Sequence, residues 1–539
     1  MTSFELPLNW PLTSRVGGPD ARSVIVMRCS ERPHSRVSSR LGIISAAEFN
    51  RHADMPARRR RANVSADGTE AAIHQFASPD EFWSWAWGGA RRSLVVAGNA
   101  NRDLSLAGTP DQTMLRRDVL KPGMHGQNFI ARYGQGQRTL DVIQVGNWHP
   151  DGHHAHTLDI DELVRWVRDY IALLNDHALG PRLFPSIAKQ AEHSYRRSTW
   201  QPEGQRQGNR LLRFHGDHRL HRFEFEVKSS ISPLRLNCPG HYDRLHYVDW
   251  RGFYLSIMAT EPLPERCAGW FAEPMSGDEF RGHWDRCWKG NVRWLWIAEV
   301  TVRNGERCLV TTPQISPILS EIVVVHRCAA YVPGTTLQPW AAKMFGLRSQ
   351  VPATMAPVVK AMGVSLWGYL GRQNFTYRAE IDPDDDDDPN VDALWGRGPI
   401  AHHEGHSYYY TPDGDRMVCD PAAWTAERFP ALAAHVLAYG RTRMQALIAR
   451  ALPDPSVVVH AHTDSLWSTV PFEGIDDMIG PGMNQLDARV VDDVTFTESA
   501  ARLIDGVVVS QAGVPAPGTV TYHDFTSGPE GVASFTVAP

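Results

Sequence analysis

Two hydrophobic rhythms run along this chain. Short runs of consecutive apolar residues closed by polar turns predict buried strands: Ser23-Val-Ile-Val-Met27, Ser93-Leu-Val-Val-Ala97, the stretch from Trp294 to Val302, and Glu321-Ile-Val-Val-Val325. Apolar residues at three- and four-residue spacing predict helices. Pro79-Asp-Glu-Phe-Trp-Ser-Trp85 has the acidic first turn of a helix start, and Leu158 to Leu163 opens a helical run that reaches Leu174. Residues 340 to 371 read as further helices. Between 430 and 451, Leu432, Val436, Leu437, Met444 and Leu447 fall on one face, with Pro430 in the first turn, which predicts an amphipathic helix packed on a core. Residues 1 to 200 therefore read as an α/β unit, and the tail from 480 onward as short strands and turns. No internal repeat is present.

One strand–turn–strand pattern carries candidate chemistry. Val457 to Val459 run into His460, a tight polar turn follows, and Leu466-Trp-Ser-Thr-Val470 returns, which puts Asp464 at the tip. A second strand-like run, Arg244-Leu-His-Tyr-Val-Asp249, ends on a carboxylate just before a Tyr-bearing segment. Two carboxylates at the ends of buried strands are what a pair of Mg²⁺ ions needs for phosphoryl or nucleotidyl transfer. Either Asp alone is equally a turn or helix-capping residue, so the pairing carries the reading.

Three stretches, in this order, resemble the motifs of family B DNA polymerases. The first family motif reads D-x-x-S-L-Y-P-S-I. Asp249, Tyr254, Ser256 and Ile257 match it, while Gly252, Phe253 and Leu255 replace Ser, Leu and Pro. The second reads K-x-x-x-N-S-x-Y-G. Lys360, Ser365 and Gly368 match, Trp367 stands for Tyr and Val364 for Asn. The third reads Y-x-D-T-D-S. Thr463, Asp464 and Ser465 match, with His460 for Tyr and His462 for the first Asp. The length is similar to that of the protein-primed polymerases of phages and linear plasmids, and the 110 residues between Asp249 and Lys360 leave room for that subfamily's palm insertion. Asn237-Cys-Pro-Gly-His241 resembles its Gly-Gly linker, and Ala512-Gly-Val-Pro515 its Lys-Gly-Ile-Pro stretch near the thumb. The subfamily's Lys-x-Tyr element between the third motif and the thumb has no counterpart, and Arg502 is the nearest basic residue.

The resemblance implies roles. Asp249 and Asp464 would hold two metal ions, Mg²⁺ or Mn²⁺. His462 removes one carboxylate and leaves an imidazole as a further candidate ligand, which tilts the site towards Mn²⁺ because Mg²⁺ prefers oxygen. Lys360, Val364, Trp367 and Gly368 share one helix face at i, i+4, i+7 and i+8. Lys360, with Arg348 upstream, would meet the triphosphate while Val364, Trp367 and Gly368 line the nascent base pair. Tyr254 would pack under the sugar and exclude a 2′-hydroxyl.

The first 200 residues resemble the family's proofreading domain less closely. Its H-N-x-x-F-D motif corresponds to Gly98-Asn-Ala-Asn-Arg-Asp103, which keeps Asn99 and Asp103, and its Y-x-x-x-D motif to Arg165-Trp-Val-Arg-Asp169, which keeps Asp169. The D-x-E expected near Met27 to Ser30 is absent, with no carboxylate until Glu31. Exonuclease chemistry needs several carboxylates for its metals, so Asp103 and Asp169 read as remnants and no useful proofreading is expected.

Composition sets bounds. A 42% hydrophobic content supports real cores, and the net charge of −5 provides no global positive field, so any nucleic-acid binding must rest on local charge. The basic residues are almost all Arg, in Arg58 to Arg61, Arg196-Arg197 and the stretch from Arg206 to Arg222; Lys360 is one of only six lysines. Seven scattered Cys without a C-x-x-C pair argue against a disulfide frame and a cysteine zinc site. With no signal peptide and no long apolar run, a cytoplasmic protein that does not enter the membrane is expected. Asp382 to Asp388 reads as a solvated loop away from a duplex. His402-His-Glu-Gly-His406 has the wrong spacing for a metalloprotease and reads as strand or loop. The His-rich stretch from Asn147 to His156 reads as an exposed loop.

The expected architecture is therefore α/β and α+β multidomain: a degenerate RNase H-like exonuclease domain (1–200), then a right-hand polymerase with linker, palm and palm insertion (201–340), fingers (341–375), palm (376–480) and thumb (481–539). The expected partners are template and primer DNA, dNTPs and, if synthesis is protein-primed, a terminal protein. A catalytically weakened nucleic-acid-binding scaffold is the alternative; His460, His462 and Val364 favour it.

Overall fold

The computed structural model describes residues 23–31, 41–50, 73–76, 78–88, 92–97, 117–120, 130–135, 138–149, 158–180, 183–184, 186–198, 218–284, 287–288, 292–372, 375–379, 401–403, 406–410, 416–421, 428–497, 501–504, 507–511 and 514–515. They fall in two compact units. One is drawn from Met1–Arg197, Arg348–Met362 and Phe375–Ala422, the other from Ser198–Leu347, Gly363–Asn374 and Ala423–Pro539.

The first unit is built on a seven-stranded sheet in the order Ile73–Phe76, Leu41–Asn50, Ser23–Glu31, Arg92–Ala97, Arg138–Gln144, Ile130–Gln135, Arg117–Leu120. Ser23–Glu31 pairs antiparallel with Leu41–Asn50 and parallel with Arg92–Ala97, which is parallel to Arg138–Gln144. Val95, Val96 and Ala97 are all buried, as continuous apolar runs of parallel strands should be. The helix Ile160–Asp176 starts where its sequence predicts. Asp159 accepts from the Glu162 N–H while Glu162 reaches back to the Asp159 N–H, so two orphan donors of the first turn are satisfied reciprocally. Its buried stripe carries Trp166 and Tyr170, and Trp148 stacks on Tyr170 while its indole N–H donates to the Phe184 carbonyl at 2.6 Å. His403 and His406 face each other across an antiparallel strand pair, so the His402–His406 cluster is not on the helix a metalloprotease motif requires.

Among the described residues the second unit holds two large sheets and the two-stranded pair of Cys287–Trp288 with Val292–Arg293. The larger has eight strands in the order Val514–Pro515, Val507–Gln511, Ala501–Ile504, Leu486–Phe496, Gly240–Trp250, Ser465–Ser468, Val458–His462, Arg235–Asn237. The smaller lies in the chain between the first and second motifs. Its strands Leu263–Phe271, Ile322–Gly334, Leu295–Val302 and Arg307–Thr311 follow one another in space, and Met275–Ser276 joins Ile322–Gly334. The apolar runs that predicted strands at 294 and 321 thus become adjacent strands over a common core of Phe280, Trp284, Trp296, Val300, Ile315, Val325 and Cys328.

Three expectations need correction. The helix Pro430–Ala451 is not one-sided at its start: Ala431 to Ala438 are buried without exception, including His435. Four alanines make that possible, because a small side chain lets neighbours close on every face. The tail is not only short strands: Leu486–Phe496 is eleven residues long and pairs with Gly240–Trp250 along its length. Asn237 to His241 is a reversal inside the larger sheet rather than a link between units. The Asn237 side-chain amide donates to the Thr497 carbonyl at 2.9 Å, and the Cys238 N–H donates to the Val459 carbonyl at 2.8 Å. Among the described residues no helix is long and apolar enough to cross a membrane.

Candidate functional site

Asp249 sits one residue inside the end of the central strand, not at its tip. Ser465 lies opposite it on one side and Asp487 on the other. Asp464 is brought alongside by its turn. His462 pairs with Ser465, leaving Thr463 and Asp464 as the loop. The Asp464 N–H donates to the His462 carbonyl at 2.7 Å, which closes a three-residue turn around Thr463 at φ 58°. That left-handed conformation disfavours a β-branched residue by about 1–2 kcal/mol, so the surroundings must hold it. They do: the Thr463 N–H donates to the Leu234 carbonyl at 3.0 Å, and the Trp250 N–H donates to the Asp464 carbonyl at 3.0 Å. The last bond makes Asp464 and Asp249 occupants of neighbouring rungs of one strand pair.

The charge of both carboxylates reaches the same phenol. Burial, then Asp249, raises the Tyr247 hydroxyl far above its ordinary value; Arg489 and Arg502 oppose this and Asp464 adds to it. Tyr254 is raised by burial and then by Asp464, against Arg235. His460, in the family's Tyr position, is pushed down to about 3 by burial and by the neighbouring His462 and Arg502. It is therefore a neutral packing residue. Its ring stacks on Phe496 at 4.4 Å, and its Nδ1–H donates to Asn237 Oδ1 at 3.1 Å. His462 lies across the edge strand from Arg235.

Gly252, at φ 64°, turns the chain from the Asp249 strand into the helix Phe253–Thr260. A Cβ there would also meet the Phe345 ring at 2.7 Å, so only glycine fits. The helix presents Tyr254 to Trp367, ring centroids 4.6 Å apart. The second-motif helix Ala356–Leu370 can lie against it because of Gly363, whose added Cβ would stand 2.8 Å from Leu255. Val358, Val359, Met362 and Leu366 of that helix are buried, while Lys360 and Val364 are exposed, Trp367 and Gly368 are half-buried, and a Cβ at Gly368 would meet nothing within 4 Å. The face carrying Lys360, Val364, Trp367 and Gly368 is thus the one that its own packing leaves open. Arg348 follows the helix Gln338–Leu347 and is half-buried. Asp169 is half-buried on the helix Ile160–Asp176, its carboxyl raised by burial against the pull of Arg165. Asp103, Asp382 to Asp388 and His153 to His156 lie outside the described residues.

Sequence reasoning missed two residues of this sheet, Asp487 and Arg489, and named Arg502 without a role. Asp487 is opposite Asp249 and pairs with Arg251 at 3.1 Å. Arg489 lies over the Tyr247 ring at 4.7 Å, and Arg502 over the Trp467 ring at 5.0 Å. Asp487 and Arg489 reach Asp249 only through pairing of strands more than 230 residues apart, and nothing local to Leu486–Phe496 signals it.

Among the described residues no group of three or more His, Cys, Asp or Glu side chains is arranged to hold a metal ion. Two carboxylates that both act on the Tyr247 phenol nevertheless fit Mg²⁺, which takes one or two protein carboxylates and completes its shell with water and phosphate oxygens.

No protein-family model and no curated protein matches the sequence. Solved structures do match. Phi29 DNA polymerase complexed with primer-template DNA and incoming nucleotide substrates is similar with a TM-score of 0.58 at 10% identity, over 88% of this chain and 86% of that one. The same polymerase complexed with single-stranded DNA gives 0.57 at 11%, over 92% and 90%, and its orthorhombic crystal form 0.57 at 11%, over 92% and 91%. At these identities the likeness establishes the fold: this chain has a DNA polymerase fold of mixed α/β content.

Proposed function

We propose that the chain is a template-directed DNA polymerase that joins dNTPs to a primer terminus, with Asp249 and Asp464 as its metal-binding carboxylates. One observation carries the reading: the two carboxylates share a strand pair, with Tyr254 and Trp367 in ring contact beside them, in a chain with a polymerase fold. In the reaction a 3′-hydroxyl oxygen bonds to the α-phosphorus of the dNTP, the bond to the β-phosphate bridging oxygen breaks, and pyrophosphate leaves. Two Mg²⁺ or Mn²⁺ ions, when bound, would lower the hydroxyl's pKa and neutralise the departing phosphates. Asp249 and Asp464 would hold them, with Asp487 and His462 as further donors. Lys360 and Arg348 would meet the triphosphate, Val364, Trp367 and Gly368 the nascent base pair, and Tyr254 the sugar.

The remaining assignments follow from that reading. The helices Gln338–Leu347 and Ala356–Leu370 would be the fingers, the eight-stranded sheet the palm, the five-stranded sheet its insertion and the residues after Phe496 most of the thumb. The part of the first unit up to Arg197 would be an exonuclease-like domain without useful proofreading, Asp169 being half-buried on the helix Ile160–Asp176. Arg489 and Arg502, on the strands beyond Asp249, would meet primer phosphates in place of the missing Lys-x-Tyr element. If synthesis starts on a protein hydroxyl, the five-stranded sheet would be the surface that meets the priming protein. His462, Arg235 and Val364 favour a second reading, a weakened scaffold that binds nucleic acid without turnover. Primer extension with Mg²⁺ and with Mn²⁺ tests the choice: template-dependent incorporation supports the polymerase, whereas DNA binding without incorporation under either metal supports the scaffold.

A further inference from the structure

The helix Pro430–Ala451 carries Arg443 over the first motif, and both terminal nitrogens of its guanidinium make two bonds each. Nη1 donates to Ser256 Oγ at 2.9 Å and to Asn484 Oδ1 at 2.7 Å; Nη2 donates to Thr260 Oγ1 at 2.7 Å and to Glu261 Oε1 at 2.6 Å. Ser256 and Thr260 are one turn apart on the helix that carries Tyr254, and Glu261 caps its end. Asn484 belongs to the loop that leads into Leu486–Phe496. That loop is tied to the site: the Asn484 N–H donates to the Arg251 carbonyl at 3.2 Å, and the Arg251 N–H to the Gln485 carbonyl at 2.8 Å. Arg251 in turn holds Asp487.

One side chain therefore joins the two segments that flank Asp249. Both turn through the left-handed region there: Gly252 and Asn484 have φ of 64° each, free for the glycine and mildly strained for the asparagine. The strained turn at Asn484 persists only where its surroundings hold it. A planar fork with several fixed donors can hold four acceptors on two segments at once; a lysine ammonium is a point charge on a flexible stem and cannot. The arginine is only 17% exposed, so water competes weakly for those acceptors.

We propose that Arg443 is a positioning residue of the nucleotide site: it sets the placement of Tyr254 and of the loop that brings Asp487 opposite Asp249. It touches neither substrate nor metal, and the proposal rests on the polymerase reading above.

The test uses the full chain with Arg443→Lys and Arg443→Ala, and with Ser256→Ala and Asn484→Ala, which remove one acceptor each and leave the arginine in place. Two readouts are taken: the ratio of kcat/KM for dNTP to that for NTP, and amide hydrogen exchange. Arg443→Lys should lower the discrimination ratio by roughly tenfold, and the two acceptor variants should shift it in the same direction. Exchange should rise in residues 251–261 and 484–487 and stay as in the parent in the strands of 295–334. A folded Arg443→Lys protein with parental discrimination and parental exchange overturns the proposal while leaving the polymerase reading intact. If Arg443→Ala does not fold, Arg443→Lys and the acceptor variants decide. If the parent itself incorporates no nucleotide, the polymerase reading fails, and exchange alone judges the arginine: unchanged protection of 251–261 in Arg443→Lys overturns its positioning role.

Discussion

Tyr254 ties the chemistry of this chain to a single ring. It is buried on the helix that follows Asp249, against Trp367 and within the field of Asp464. If the sugar of the incoming nucleotide lies on it, Tyr254→Val opens the space a 2′-hydroxyl needs, and NTP use relative to dNTP should rise by roughly tenfold or more. Competition of labelled NTP and dNTP on one primer-template measures this, and an unchanged ratio makes Tyr254 a core residue. Asp487 bears on the proposed metal site. Where the family motif has a carboxylate this chain has His462, and the register supplies Asp487 beside Asp249 instead. Asp487→Asn should raise the Mg²⁺ concentration needed for half-maximal rate by about tenfold; a metal titration that overlays the parent's would leave Asp487 as only the partner of Arg251. The motif residues were legible because each depends on nearby sequence: a turn tip, a strand end, one helix face. Asp487, Arg489 and Arg443 were not, since each gains its role from segments far away in the chain.

Elements were legible where burial is one-sided and hidden where it is not. The capped helix at Ile160 and the strands at Ser23, Arg92 and Leu295 follow their patterns. Pro430–Ala451 does not, because alanine marks neither an inside nor an outside and four of them disguise a helix buried all round. His435 is the consequence. It has no exposed surface, its Nδ1–H donates to the Ala431 carbonyl at 2.8 Å, and burial pushes it down to about 4. In the unfolded chain its pKa is about 6.5. Above that value both states are neutral and the folded state has its full stability. As pH falls from about 6.5 towards 4 the unfolded chain binds a proton that the folded chain refuses, so stability drops by up to about 1.4 kcal/mol per pH unit. Denaturant unfolding across that window should therefore be less steep in pH for His435→Gln than for the parent, by nearly one proton. Equal slopes would mean that His435 is protonated in the folded state.

At the scale of the whole molecule, the order of motifs pointed to the polymerase fold that the structural likeness supports, but not to how the sheet is assembled. The reading of 481–539 as a separate thumb overlooked that Leu486–Phe496 belongs to the sheet of Asp249, because a strand whose apolar positions are broken by Asp487, Arg489, Asp492 and Asp493 has no strong apolar signal. The five-stranded sheet, if it is the palm insertion proposed above, bears on priming. If synthesis starts on a protein hydroxyl, the metal-bound site acts on any oxygen held in line with the α-phosphorus. Incubation with labelled dNTP, template and a candidate terminal protein, without oligonucleotide, should then leave label that resists heat and detergent but not protease. Product that forms only on an annealed primer removes protein priming and keeps the polymerase.

On the proposed reading, Asp249 and Asp464 make this chain a polymerase. Single-turnover incorporation of one dNTP on a primer-template, in Mg²⁺ and in Mn²⁺, tests it most directly. The parent should add the templated nucleotide, and Asp249→Ala and Asp464→Asn should each slow addition by about three powers of ten or more while still binding DNA. Addition at the parental rate by either variant, or none by the parent under either metal, contradicts it.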